Sequence, residues 1–200
     1  MKKEFSFYEF VGIFVPAVIL LYCGQLIYEH IHQKQIVDFS KIGETVIFAL
    51  VCYGIGHIIQ ALGNIFESFL WFIYGGKPTK WLSNKNRFGN FLFDDVQNQK
   101  IFDKVKQKYG DGIKDYGRLV YNFNFQKEKT ARIDIFNGNY SLFRGLTISF
   151  LILSIICGYY FDWEMTLVST VPFVLSLMRM IRFAKYYATE TFRTFFNLTE

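Results

Sequence analysis

The segment VIFALVCYGIGHIIQALGNIFESFLWFIY, residues 46–74, carries one charged side chain, Glu67, in 29 positions. As a helix rising 1.5 Å per residue it is about 44 Å long, more than the roughly 30 Å of a hydrocarbon core. The run starts near Thr45 and stops at the Gly75-Gly76 breaker. Its length predicts a membrane helix that tilts, or that emerges into the cytoplasm before Gly75.

Three further apolar runs surround it. Phe10–Tyr28 (FVGIFVPAVILLYCGQLIY) contains Pro16, which lipid tolerates where a neighbour satisfies the carbonyl that proline frees. Leu146–Phe161 and Met165–Ile181, the latter with Pro172, are joined by Asp162-Trp163-Glu164. Tyr159, Tyr160 and Trp163 are suited to a membrane interface. The composition agrees: 52% of the chain is hydrophobic, and 20% charged residues are too few to cover that surface in a soluble domain of 200 residues. The lead Met1-Lys2-Lys3 resembles a signal peptide. The apolar run continues to Tyr28 without a small-x-small cleavage site, which predicts an uncleaved span. Cys23, Cys52 and Cys157 lie in apolar runs without CxxC spacing and read as small buried hydrophobes.

The charge collects between the second and third runs. Residues 77–144 hold 14 Lys/Arg and 7 Asp/Glu. Residues 77–89 read as a loop, and Asp94 or Asp95 as the cap of a helix ending at Gly110-Asp111-Gly112. Ile113, Tyr116, Leu119, Val120 and Phe123 suggest a second helix, although VYNFNF also fits a strand's alternation. A third helix starting near Thr130 leads into the next span, and residues 179–196 read as an amphipathic tail. The fold class is therefore all-α and membrane-embedded, with about four transmembrane helices. Its segments are a helix pair over 1–74, a basic cytosolic insertion over 75–144, a second pair over 145–181 and a tail over 182–200. Lys/Arg counts set the orientation. The N-terminus, the insertion and the chain from Arg179 onward carry two, 14 and four, whereas the two outer connectors carry two and none. Both termini are expected in the cytoplasm of a bacterium, with the chain in its inner membrane.

Within the second span His57, Gln60, Asn64 and Glu67 are spaced three, four and three, one helical stripe that Tyr53 extends by a turn. Gly56 and Gly63 lie beside it and permit close approach of another backbone. Polar side chains are costly in lipid, so this face must meet protein or water. Two readings stay open: a hydrogen-bonding seam between helices, and a pore lining or ligand-sensitive face in which His57 titrates. Glu9 stands at the entry to the first span, where it reads as a headgroup-level carboxylate. Arg118, Arg132, Arg144, Arg179 and Arg182 are the candidate basic contacts for a cytosolic partner. Aromatics around Arg118 would also suit base stacking, but 7 acidic residues offset the insertion's charge and make nucleic acid the less favoured partner.

Nothing in the sequence calls for catalysis, a metal or a cofactor. His30 and His32 alternate in the first connector without further ligands, and no GxSxG, P-loop, HExxH or GxGxxG is present.

The pieces follow in order: a first span with an internal proline, GHIIQALGNIFE, YGGKPT, FNGNYSLFRGLT and RFAKYYATETFRTF. In length and layout this is similar to the small multi-spanning accessory encoded beside the RNA-guided ribonuclease of type VI-B CRISPR systems. That resemblance implies a role in antiviral defence, with the ribonuclease or another cytosolic defence protein as partner. A sister accessory type carries an Arg-x4-6-His ribonuclease-like motif and is associated with pores. Here no Arg precedes any His, so nuclease activity does not carry over. The expectation is a non-enzymatic membrane accessory, oligomeric and pore-capable, or alternatively a scaffold that binds a partner without conducting.

Overall fold

The computed structural model describes residues 7–160 and 163–199, with side chains from residue 10 onward. The basic lead, the Glu9 side chain and Asp162 lie outside the described residues. Helix makes up 81% of the described residues, and no strand occurs among them. The helices are α1 (Phe7–His32), α2 (Ile42–Tyr74), α3 (Asp95–Tyr109), α4 (Gly117–Gln126), α5 (Ala131–Tyr159) and α6 (Trp163–Thr199). A 3-10 turn spans Pro78–Leu82. Of these, α1, α2, α5 and α6 are long and apolar enough to cross a membrane, so the chain has the character of a multi-pass membrane protein with a helical insertion.

Helix α2 stops where two glycines take positive φ, 78° at Gly75 and 123° at Gly76, a region closed to most side chains. The third span and the helix before it are one continuous α5, and the fourth span and the tail are one α6. The chain divides into two compact units, Met1–Phe66 with Gly138–Met180 and Glu67–Asn137 with Ile181–Glu200.

In the first unit Ala17, Cys52, Ile59 and Ile148 form a buried cluster flanked by Phe14, Phe48, Ile55 and Phe66. Some hydroxyls in its helices are satisfied within their own helix. Thr147 and Ser154 donate to the carbonyls of Phe143 and Phe150, four residues back, at 2.7 and 2.8 Å, which suits helices without water. Cys52 and Cys157 are buried and Cys23 is half-buried, and none of the three is in a disulfide.

The second unit is built around Leu82, Ile101, Val105, Tyr116, Val120, Phe192 and Phe195. Asp94 caps α3 by accepting from the Gln97 N–H at 3.0 Å. The VYNFNF stretch lies inside α4, which corrects the strand alternative. Gly117, Val120 and Asn124 are its buried positions, spaced three and four, and that spacing rather than alternation meets the core. Gly117 sits against Thr79, whose side-chain carbons lie 2.8 Å from where a Cβ would be.

Tyr121 donates its hydroxyl to Asp134 at 2.8 Å. Burial first, and then the Asp134 carboxylate, push the Tyr121 phenol well above its ordinary range. An unfolded phenol ionises near pH ~10. The stability this arrangement contributes is therefore intact below that pH and declines as pH rises above it, where only the unfolded chain ionises readily. Tyr121→Phe is expected to flatten the alkaline limb of the second unit's unfolding curve, followed by circular dichroism against pH. An unchanged alkaline limb would show that Tyr121 is not the group responsible.

Candidate functional site

The site grows from one proline. Pro16 has no N–H, so the carbonyl of Gly12, four residues earlier in α1, has no donor within its own helix. Gln60 of α2 supplies one: its Nε2 donates to the Gly12 oxygen and, at 3.2 Å, to the Ser141 oxygen of α5. The other end of the same amide accepts from Arg144 of α5, at 2.7 Å from Nη2 and 3.2 Å from Nε. The Arg144 guanidinium stands 5.8 Å from the Tyr140 ring centre. Ser149 completes the seam by donating to the Pro16 carbonyl at 2.8 Å. One side chain from α2 thus links α1 and α5 within the first unit, and both its donor and acceptor ends are engaged.

Small residues make this approach feasible. A Cβ on Gly56 would enter the Ile13 carbonyl oxygen of α1 and stand 2.7 Å from Ile13 Cγ2. On Gly145 it would stand 2.6 Å from Pro16 Cγ, and on Gly63 it would meet the stem of Arg144 at 3.0 Å.

The stripe read from the sequence does not face one environment. Gly56 and Gly63 are buried and Gln60 is half-buried in the first unit, whereas Tyr53, His57 and Asn64 are exposed. At about 100° per residue the five polar positions cover an arc of roughly 80°, wide enough for the edge of the packed seam to run through it. The rings of Tyr53 and His57 meet edge to face at 4.9 Å. Glu67 belongs to the second unit, where its carboxylate, only 7% exposed, pairs with Lys77 at 2.8 Å.

Among the basic candidates Arg144 is committed to Gln60 rather than displayed to a partner. Arg118, Arg179 and Arg182 are exposed, as is Arg132, which lies 3.6 Å from Glu190. Sequence reasoning missed Gly12, Ser141 and Ser149. Gly12 was within reach, because counting four residues back from Pro16 names the orphaned acceptor. It also missed a group of lysines on the second unit: Lys104 lies 4.1 Å from the Phe196 ring centre and Lys108 3.4 Å from that of Phe123. Their i, i+4 spacing was the available signal.

Among the described residues no group of three or more His, Cys, Asp or Glu is arranged to hold a metal. No protein family, curated protein or solved structure matches the chain.

Proposed function

We propose that this chain is a non-enzymatic accessory of the bacterial inner membrane that anchors a cytosolic partner through its basic helical insertion and conducts nothing. The observation that carries this reading is the engagement of Gln60. The most central polar group of the candidate pore lining is spent on the Gly12 and Ser141 carbonyls and on Arg144, so it serves as a seam. Arg118 of the insertion and Arg182 of α6 are among the exposed basic side chains available to a partner. The positive-inside count supports a cytoplasmic insertion and termini. The layout shared with type VI-B accessories makes an RNA-guided ribonuclease of antiviral defence the first partner to test.

The experiment is co-purification of the full chain with that ribonuclease from membranes. Capture should fall about tenfold on Arg118→Glu with Arg182→Glu, a loss of about 1.4 kcal/mol. Absence of capture by the unaltered chain would refute this partner. A second reading, an oligomeric pore, is favoured by the exposed Tyr53 and His57 on an apolar helix. It requires depolarisation of expressing cells and a change in that response on His57→Leu. An intact membrane potential at full expression speaks for the scaffold.

A further inference from the structure

We infer that the lysine face of α3 and the adjoining turn after α4 docks the second unit on a bilayer surface rich in anionic phospholipid. Three ammonium groups stand near phenylalanine rings of one hydrophobic cluster. Lys108 Nζ stands 3.4 Å from the ring centre of Phe123 and 5.6 Å from that of Phe195. Lys127 Nζ reaches within 6.0 Å of the Phe123 ring, and Lys104 Nζ lies 4.1 Å from the Phe196 ring. Phe123 and Phe195 meet edge to face at 5.3 Å, and Phe196 packs against the same buried cluster. Lys108 and Lys127 are exposed and Lys104 is half-buried. The acidic residues nearest in the chain are directed elsewhere or lie at the edge. Asp103 accepts from Gln99 at 2.9 Å, Asp111 pairs with Lys106 at 2.7 Å, and Glu128 follows Lys127 in an exposed turn.

The chemistry selects the occupant. An ammonium carries three N–H donors, so Lys108 and Lys127 beside the Phe123 ring still have donors to offer phosphate oxygens. Because the ammoniums cover the faces of Phe123 and Phe196, those faces are closed to the base stacking by which proteins hold single-stranded nucleic acid. The group is all lysine. Compact, hydrated point charges suit dispersed headgroups better than the bidentate geometry for which arginine is used. The same chain carries four helices long and apolar enough to cross a membrane, so covalent attachment holds this face at high effective concentration near headgroups. None of these lysines belongs to the partner contact proposed above, and the inference does not depend on it.

The test uses the full chain in nanodiscs of phosphatidylcholine alone or mixed with phosphatidylglycerol. Acylation rates of individual lysines are read by mass spectrometry, with the exposed Lys85 and Lys114 as internal references. Lys104, Lys108 and Lys127 should react about fivefold more slowly in the anionic discs, the equivalent of about 1 kcal/mol per lysine. High salt should restore their rates while the references stay constant. Equal rates in both discs would overturn the proposal, as would a slowing shared by all exposed lysines. Protection by added single-stranded RNA in neutral discs, without protection by phosphatidylglycerol, would reassign the face to nucleic acid.

Discussion

Gln60→Leu is expected to lower the stability of the first unit by about 2–3 kcal/mol, read as earlier unfolding on titration with denaturing detergent. The substitution removes two donor contacts to the Gly12 and Ser141 carbonyls and the acceptor for two Arg144 nitrogens. Individual hydrogen bonds between membrane helices average only about 0.6 kcal/mol, because the unfolded state in lipid finds other partners. The Gly12 carbonyl differs, since Pro16 has removed its intrahelical donor and the alternative is an acceptor left unsatisfied, worth about 1–3 kcal/mol. Gln60→Glu separates these contributions. A carboxylate still accepts from Arg144 but cannot donate to Gly12, so its loss should be intermediate. Combining Gln60→Leu with Arg144→Leu should cost at least about 1 kcal/mol less than the sum of the single losses, because both remove the same contact. A Gln60→Leu protein within about 0.5 kcal/mol of the original would refute the proposed role of the seam.

Two glycines one turn-fraction apart on α2 are expected to respond in opposite directions. Gly56→Ala drives a methyl into the Ile13 backbone, where the obstacle is a helix rather than the end of a flexible side chain. Separation of α1 from α2 should cost about 1–3 kcal/mol. Gly54 has nothing within 4 Å of a built Cβ, so Gly54→Ala should be neutral or gain up to about 1 kcal/mol from helix propensity. The same detergent titration measures both. Equal effects at the two positions would show that close approach at Ile13 does not govern this packing.

The long helices were legible because apolar run length alone demands them. The Gly75-Gly76 stop and the Asp94 cap were also readable, since glycine dihedral freedom and side-chain capping are local properties. Periodicity likewise marked the polar positions of α2, but it could not say which side of the stripe meets protein. Gln60 and His57 are separated by only about 60° around the helix, yet one is bound at both ends and the other is exposed. That division depends on where α1 and α5 lie, which no pattern within α2 encodes. The partner of Arg144 was hidden for the same reason. The arginine's neighbours in the chain suggest the edge of a basic domain, whereas its acceptor is 84 residues away. VYNFNF satisfied two periods at once, and the buried positions Val120 and Asn124 decide between them.

The proline in α1 also orders the making of the protein. When α1 is synthesised, the Gly12 carbonyl has no donor, and Gln60 lies 48 residues ahead. Arg144, which holds the opposite end of that amide, comes 84 residues later still. The Gly12 carbonyl can therefore be satisfied only after the second helix has been made, and the Gln60 amide only after the fifth. The seam joins residues from the first, second and fifth helices, so it cannot close before most of the chain exists.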